Sequence, residues 1–130
     1  MYQIEREKVG RMDVYRLEFG GFIKMDEMQH WVDDSQKQLT TSPGTFAVWV
    51  DMRNLKPLPQ DAQEKMMEGQ KMYKDKGMVR SAVVVPNSLV KLQFERIAKE
   101  SGIHEWERYF SAEEPEWESS MKSWIEKGVN

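Results

Sequence analysis

The residue types that carry most enzyme chemistry are few in this 130-residue chain. It contains no cysteine, which excludes disulfides, thiolate metal sites and a cysteine nucleophile. His30 and His104 are its two histidines, and neither stands at a spacing typical of a zinc site or a catalytic triad. Neither a GxSxG nucleophile elbow nor a glycine-rich phosphate loop occurs. We therefore predict no catalytic residue, no metal and no cofactor, and a protein that is not an enzyme.

The densest polar group near the end of an apolar segment consists of Asp51, Arg53, Lys56 and Asp61. Ligand crevices in open α/β sheets lie at the carboxyl ends of the strands. The pattern therefore predicts that these four residues line a ligand or partner surface. The structural alternative is that Asp51 caps the turn backbone and Arg53 pairs with a surface acid.

Ten methionines are a high number for a chain of this length. Methionine is flexible and polarizable, so it suits surfaces that adapt to varied apolar partners. One hypothesis is that Met28, Met52 and Met66, together with Tyr73, line an apolar pocket for a small ligand such as an acyl chain. Ordinary filling of the core is the alternative.

Two segments, Phe46 to Val50 and Ser81 to Val85, are apolar on both faces. Such strands belong in the middle of a parallel sheet that helices cover on both sides. Upstream, residues 2–9 and 14–19 predict an antiparallel hairpin. The residues 60–76 predict a crossover helix with an inward stripe of Ala62, Met66, Gly69 and Tyr73. Glycine costs roughly 1 kcal/mol relative to alanine inside a helix, and a close approach of helix to sheet would explain Gly69.

The remaining segments predict three more helices and a last strand. Residues 26–39 begin with a capping box of Asp26 and Gln29, and residues 88–101 begin at a Ser88 cap. The second of these has a broad apolar face that includes Leu89 and Leu92. Residues 108–110 form a short strand, and a capping box at Ser111 and Glu114 opens the final helix. The order ββαβαβαβα predicts an α/β domain over residues 1–130, with one small mixed sheet (an antiparallel hairpin, then parallel strands) and four helices.

Charge and hydropathy limit the partners and the location. The formal net charge is -3 and no basic run occurs, so nucleic acid is not expected as a partner. No apolar segment is long enough to span a bilayer, and the N-terminal residues lack the apolar core of a signal peptide. We expect a cytoplasmic protein without a transmembrane segment.

Four strings lie in an order that covers nearly the whole chain. They are Gly21-Phe22-Ile23; Val50-Asp51-Met52-Arg53-Asn54-Leu55 with Pro57-Leu58; Ala82-Val83-Val84-Val85; and Arg108-Tyr109-Phe110 followed by Trp124-Ile125. In these strings the chain resembles the STAS-like family, the small relatives of the anti-sigma-factor antagonists. More narrowly, it resembles a stand-alone branch that shares features with CRAL-TRIO-type lipid-binding domains.

One position departs from that family. The phosphorylated antagonists carry a serine, modified by a partner kinase, at the start of the helix after the central strand. This chain has Pro59-Gln60-Asp61-Ala62 there, and Asp61 stands at about the serine's place. A phosphoserine switch is therefore not available at this site. Asp61 is either a permanent mimic of phosphoserine or an acid that favours the helix dipole, and the sequence leaves both open.

The resemblance implies a non-enzymatic regulatory module. We expect it to bind a protein partner, or a second copy of itself, through the surface around the N-terminus of the second helix. The alternative is a binder or carrier of a small apolar ligand in the methionine-lined pocket.

Overall fold

The structure is a computed structural model that describes residues 1–129. Over this range the chain forms five strands and four α-helices in the order ββαβαβαβα, which confirms the predicted fold class. The elements are β1 (Tyr2–Val9), β2 (Met12–Gly21), α1 (Met25–Leu39), β3 (Phe46–Leu55), α2 (Gln60–Lys76), β4 (Met78–Val85), α3 (Ser88–Ser101), β5 (Glu107–Ser111) and α4 (Trp117–Lys127), with a 3-10 turn at His104–Trp106.

The five strands lie side by side in chain order, β1 to β5. Strands β1 and β2 are antiparallel, and the other three pairings are parallel. Strands β3 and β4 therefore lie inside the sheet, as their apolar sequences predict, while β1 and β5 are its edges.

Helices cover both faces of the sheet, but unequally. Every parallel crossover steps the same way across the sheet, so right-handed connections place α1, α2 and α3 on one face. These three helices share one core cluster with Val48 and Val50 of β3. Helix α4 packs on the other face against Ala47 and Trp49. We call these the three-helix face and the α4 face.

Strand β3 is longer than the sequence predicts, and Asp51 lies inside it rather than after it. Pairing with β2 continues through Asp51 and Asn54 to Leu55. The strand extends because Met52 and Leu55 are buried in the core of the three-helix face while Arg53 reaches solvent. Met52 and Leu55 are three residues apart and reach the same core because the pairing with β2 shifts register between Glu18 and Gly20.

Gly69 is explained by a helix and not by the sheet. A Cβ atom at this position would lie 2.1 Å from Cζ3 of Trp31 on α1. The expected approach of α2 to the sheet is therefore wrong, because the close contact is between α2 and α1.

The capping residues predicted for α1, α3 and α4 were also wrong. Asn87, not Ser88, caps α3 by accepting a hydrogen bond from the Val90 amide at 3.0 Å. No side chain caps α1 or α4, and α4 begins only at Trp117. A residue in an extended conformation just before the first turn makes the better cap, and Asn87 has that conformation.

The predicted apolar face of α3 is narrower than expected. Val90, Phe94, Ile97 and Ala98 are buried, but Leu89 and Leu92 are 55% and 63% exposed. Because α3 packs on one side only, its second apolar stripe remains on the surface.

Candidate functional site at the carboxyl end of the sheet and beside Glu107

The predicted polar group is divided into two parts. Asp51 is buried on the α4 face and binds Arg53, whose Nη2 and Nε donate to the carboxylate at 2.8 and 3.1 Å. The amide of Arg53 also donates to Asp51, at 3.0 Å. The Arg53 guanidinium lies 4.7 Å from the ring centre of Trp117, the first residue of α4. Asp51 and Arg53 thus form an ion pair that satisfies both side chains and connects β3 to the start of α4.

Burial alone would raise the pKa of the Asp51 carboxyl, but the hydrogen bonds and charge of Arg53 outweigh it and hold that pKa below its ordinary value. The same contact raises the pKa of Arg53. Asp51 therefore stays ionised and partnered, as a structural carboxylate does.

Lys56 and Asp61 lie apart from this pair. Both are exposed, and neither forms a hydrogen bond or ion pair between side chains with another described residue. Asp61 accepts a hydrogen bond from the Ala62 amide at 2.8 Å in the first turn of α2. The structure thus joins Asp51 only to Arg53, and leaves the charges of Lys56 and Asp61 available at the carboxyl end of the sheet.

The methionine-lined pocket corresponds to a small internal cavity on the three-helix face. Met52, Met66 and Tyr73 line it, while Met28 is buried in the same core but not at the cavity. The cavity measures about 30 Å³, which admits a water molecule but is far smaller than an ordinary ligand pocket. An acyl chain can enter only if the surrounding side chains move.

One acid at this cavity was not singled out by the sequence. Glu107, the first residue of β5, is 4% exposed and points to the three-helix face opposite Ser81 of β4. Its Oε1 has no partner with hydrogen-bond geometry among the described residues, although the Tyr109 and Ser81 hydroxyls lie close enough to influence the carboxyl. Two other polar side chains at the cavity are satisfied, since Tyr73 hydrogen-bonds Ser35 and Gln70 accepts from Ser101. An unpartnered buried carboxyl oxygen is rare and needs an explanation.

The environment changes the acidity of Glu107. Burial raises the pKa of its carboxyl to about 7, although the neighbouring hydroxyls of Tyr109 and Ser81 lower it. The Tyr109 hydroxyl donates to the Phe94 carbonyl of α3 at 3.0 Å, which holds this part of β5 against α3. Near neutral pH, Glu107 therefore exchanges between a neutral and a charged form.

A surface cleft lies outside Glu107, between α3 and β5. We call it the α3–β5 cleft; it measures about 250 Å³ and is lined by Lys91, Glu95, Lys99, His104, Glu107, Arg108 and Tyr109. Glu107 lines both this cleft and the internal cavity. Its side chain therefore separates a polar surface space from an apolar internal one.

The sequence held a weak signal for this site. Arg108 to Phe110 predicts a short strand, and period-2 alternation places Glu107 and Tyr109 on one face. The sequence did not show which element covers that face of β5, because α3 packs against β5 only in the folded chain.

Neither a known family model nor a curated protein matches this chain. Among the described residues, no three histidine, aspartate or glutamate side chains are placed to hold a metal ion. No helix in residues 1–129 is both long enough and apolar enough to cross a bilayer.

Proposed function

We propose that this chain is a STAS-like, non-enzymatic binding module that docks a protein partner at the carboxyl end of its sheet. The docking surface, which we call the carboxyl-end surface, consists of Phe22, Lys56, Asp61, Leu89 and Leu92. The element order and the four strings that resemble the family support this assignment.

The observation that carries the proposal is the exposure of large apolar side chains around the N-terminus of α2. Phe22, directly after β2, is 77% exposed, and Leu89 and Leu92 project from the first turns of α3. Single exposed apolar residues are ordinary, but three that border one region indicate a contact site.

Hydrogen bonds hold the three segments of this surface together. The Lys56 amide donates to the Gly21 carbonyl at 3.1 Å, which joins the segments after β2 and β3. Gln93 of α3 accepts from the Leu58 amide at 2.9 Å and donates to the Leu58 carbonyl at 3.1 Å. Phe22 and the two leucines therefore lie on opposite sides of one ordered connection, which carries Lys56 and Asp61.

Such a surface suits binding better than bond-making chemistry. Apolar anchors bury area and dominate affinity, while charges at the border select partners and speed encounter. The occupant that fits is a protein with an apolar patch bordered by at least one charge that complements Lys56 or Asp61.

The test is the double variant Phe22→Ser, Leu92→Ser, compared with Val79→Ser. Val79 is another exposed apolar residue, but it lies at the amino end of β4. A partner is isolated with the wild-type chain, purified, and titrated against each variant. We expect the double variant to bind about tenfold more weakly or worse, and Val79→Ser to bind like the wild type.

Equal affinity of both variants for the partner would contradict the proposal. Sedimentation of the wild-type chain over a range of concentrations tests the other occupant, a second copy of the chain. If the double variant alters neither a captured complex nor self-association, the carboxyl-end surface is not a docking site.

A second candidate function is the binding of a small apolar ligand on the three-helix face. The observation that favours it is the internal cavity bordered by Met52, Met66 and Tyr73. Because methionine repacks readily, this cavity can widen where a stiffer core could not. Native mass spectrometry of freshly purified protein should show an apolar adduct, and a bare chain in repeated preparations would contradict this candidate.

A further inference from the structure

Glu107 is the one carboxylate among the buried side chains without a hydrogen-bond partner in the described chain, where the others are three tryptophan indoles. Its carboxyl is buried at the first position of an edge strand, and one oxygen has no partner. An unsatisfied buried acceptor destabilises the folded state. Glutamine or an apolar side chain of similar size would avoid the cost of burying a charge. A ligand that uses this oxygen would account for the glutamate.

The direction of approach follows from the two spaces that Glu107 borders. Outward lies the α3–β5 cleft, and inward lies the cavity with its methionines. A molecule in the cleft can thus place a polar group against the Glu107 carboxyl and a short apolar tail against the cavity side.

The charges around the cleft select the sign of the polar group. Lys91 and Lys99 stand two turns apart on α3, and neither forms an ion pair with any described residue. Arg108 already donates to the carbonyls of Glu105 and Glu107 and stacks on Trp124. The ionisable groups that face Glu107 or line the cleft are Lys91, Glu95 and Lys99 of α3, His104 of the 3-10 turn, Arg108 and Tyr109 of β5, and Tyr73 of α2.

These charges disfavour an ammonium ligand and favour an anion. An ammonium group in the cleft would meet three fixed cations, Lys91, Lys99 and Arg108, against Glu95 and Glu107. A carboxylate would instead be attracted by the two free lysines. It can also accept a hydrogen bond from Glu107 in its neutral form, as other buried neutral carboxylic acids donate to anionic oxygens.

We propose that the α3–β5 cleft binds a small organic acid with a short apolar tail, whose carboxylate is attracted by the charges of Lys91 and Lys99 and accepts a hydrogen bond from Glu107. This proposal deepens the second candidate function, since it uses the same internal cavity for the tail and adds the group that recognises the head. It does not depend on the carboxyl-end surface.

The affinity of such a site depends on pH. The ligand binds the form of the protein in which Glu107 is neutral, so binding takes up a proton once Glu107 is ionised in the free chain. Affinity should fall about tenfold per pH unit above the pKa of Glu107. That pKa lies near 7 in the free chain because of burial.

The experiment is calorimetric titration of the full chain with hexanoate, and with hexylammonium as a match in length and opposite in charge. We expect saturable binding of hexanoate at millimolar concentrations or below, weakening between about pH 7 and pH 9, and no binding of hexylammonium. Glu107→Gln keeps a donor of the same size, so it should bind hexanoate with an affinity that no longer changes with pH.

A second variant keeps the test valid if substitution at Glu107 disturbs folding. The double change Lys91→Gln, Lys99→Gln alters only exposed side chains, and we expect it to weaken hexanoate binding about tenfold. Lys122→Gln on α4, equally exposed, is the matched control and should leave binding unchanged.

Three results would overturn the proposal: no saturable binding of hexanoate, equal binding of hexylammonium, or a hexanoate affinity whose pH profile is the same with Glu107→Gln. In the last case an apolar site remains and the second candidate function survives. Only the assignment of Glu107 as the group that recognises the head then fails.

Discussion

Two buried acids on opposite faces of the sheet differ in the side chains that surround them. Asp51 and Glu107 are 8% and 4% exposed, and each stands on a strand of the same sheet. Asp51, on the α4 face, has an arginine two residues away that binds it through two nitrogens. Glu107, on the three-helix face, has hydroxyl neighbours and one oxygen with no partner. The pKa of the first is lowered and that of the second is raised.

The difference shows that burial alone does not decide the state of an acid. Burial raises the pKa of both carboxyls. The presence or absence of a bound cation then determines whether the net shift of the pKa is downward or upward. Arg53 follows Asp51 on the same side of the same strand, so the pair is local. The two lysines near Glu107 lie across the cleft on α3 and are exposed to solvent. Asp51 therefore has a structural role, whereas Glu107 has an oxygen to which a ligand can supply the missing hydrogen-bond partner.

The largest expected effect comes from Glu107→Gln. An acid with a raised folded-state pKa stabilises the fold fully below its unfolded pKa and loses that stability as pH rises toward the folded value. For Glu107 the window runs from its ordinary value of 4.5 to about 7. At about 1.36 kcal/mol per pH unit, the wild type should lose about 3 kcal/mol across this window, and the variant should not. Urea denaturation at about pH 4 and pH 8 measures both.

Ser81→Ala extends the same measurement. The Ser81 hydroxyl lowers the pKa of Glu107, so its removal should raise the folded-state pKa and move the upper end of the window to higher pH. If Glu107→Gln leaves the pH dependence of unfolding unchanged, then Glu107 is as well satisfied as Asp51 and the comparison fails.

A smaller effect is expected from Arg53→Met, which makes Asp51 resemble Glu107. The free energy of unfolding at neutral pH should fall by about 1–2 kcal/mol, since a buried acceptor loses its donors. Arg53 is itself partly exposed, so solvent screening limits the loss. An acid with a lowered pKa gives stability that is present above its unfolded pKa and lost as pH falls through the folded value. The deficit of the variant should therefore shrink below about pH 4.

Lys65→Met is the matched control for that measurement. Lys65 forms an ion pair with Glu68 at 3.3 Å within α2, where both side chains are partly exposed to solvent. Such a pair contributes at most about 1 kcal/mol. Equal losses in the two variants would mean that the burial of Asp51 has no energetic consequence.

Local sequence signals predicted most of the fold. Helix α2 runs over the predicted residues 60–76, because Pro59 and Gly77 mark its two ends. The two apolar strands lie inside the sheet, since only a strand covered on both faces can bury side chains on both. Helix starts were less predictable, because a serine or asparagine forms a cap only if its own backbone is extended, as Asn87 shows.

The candidate sites were predictable only in part. The sequence pointed to the surface around the start of α2, but assigned Leu89 and Leu92 to the core and passed over Glu107. Whether an apolar residue on a helix is covered depends on how far the neighbouring helix reaches. No periodicity within α3 contains that information.

The sequence by itself determined the order of elements and the central place of β3 and β4, because each depends on residues close together in the chain. The tertiary structure alone decided that Gly69 faces Trp31, that Phe22 and the two leucines border one surface, and that Glu107 stands between a cleft and a cavity. Those relations join segments far apart in sequence, and the free energy of a charge depends on everything that folding brings within a few ångströms of it.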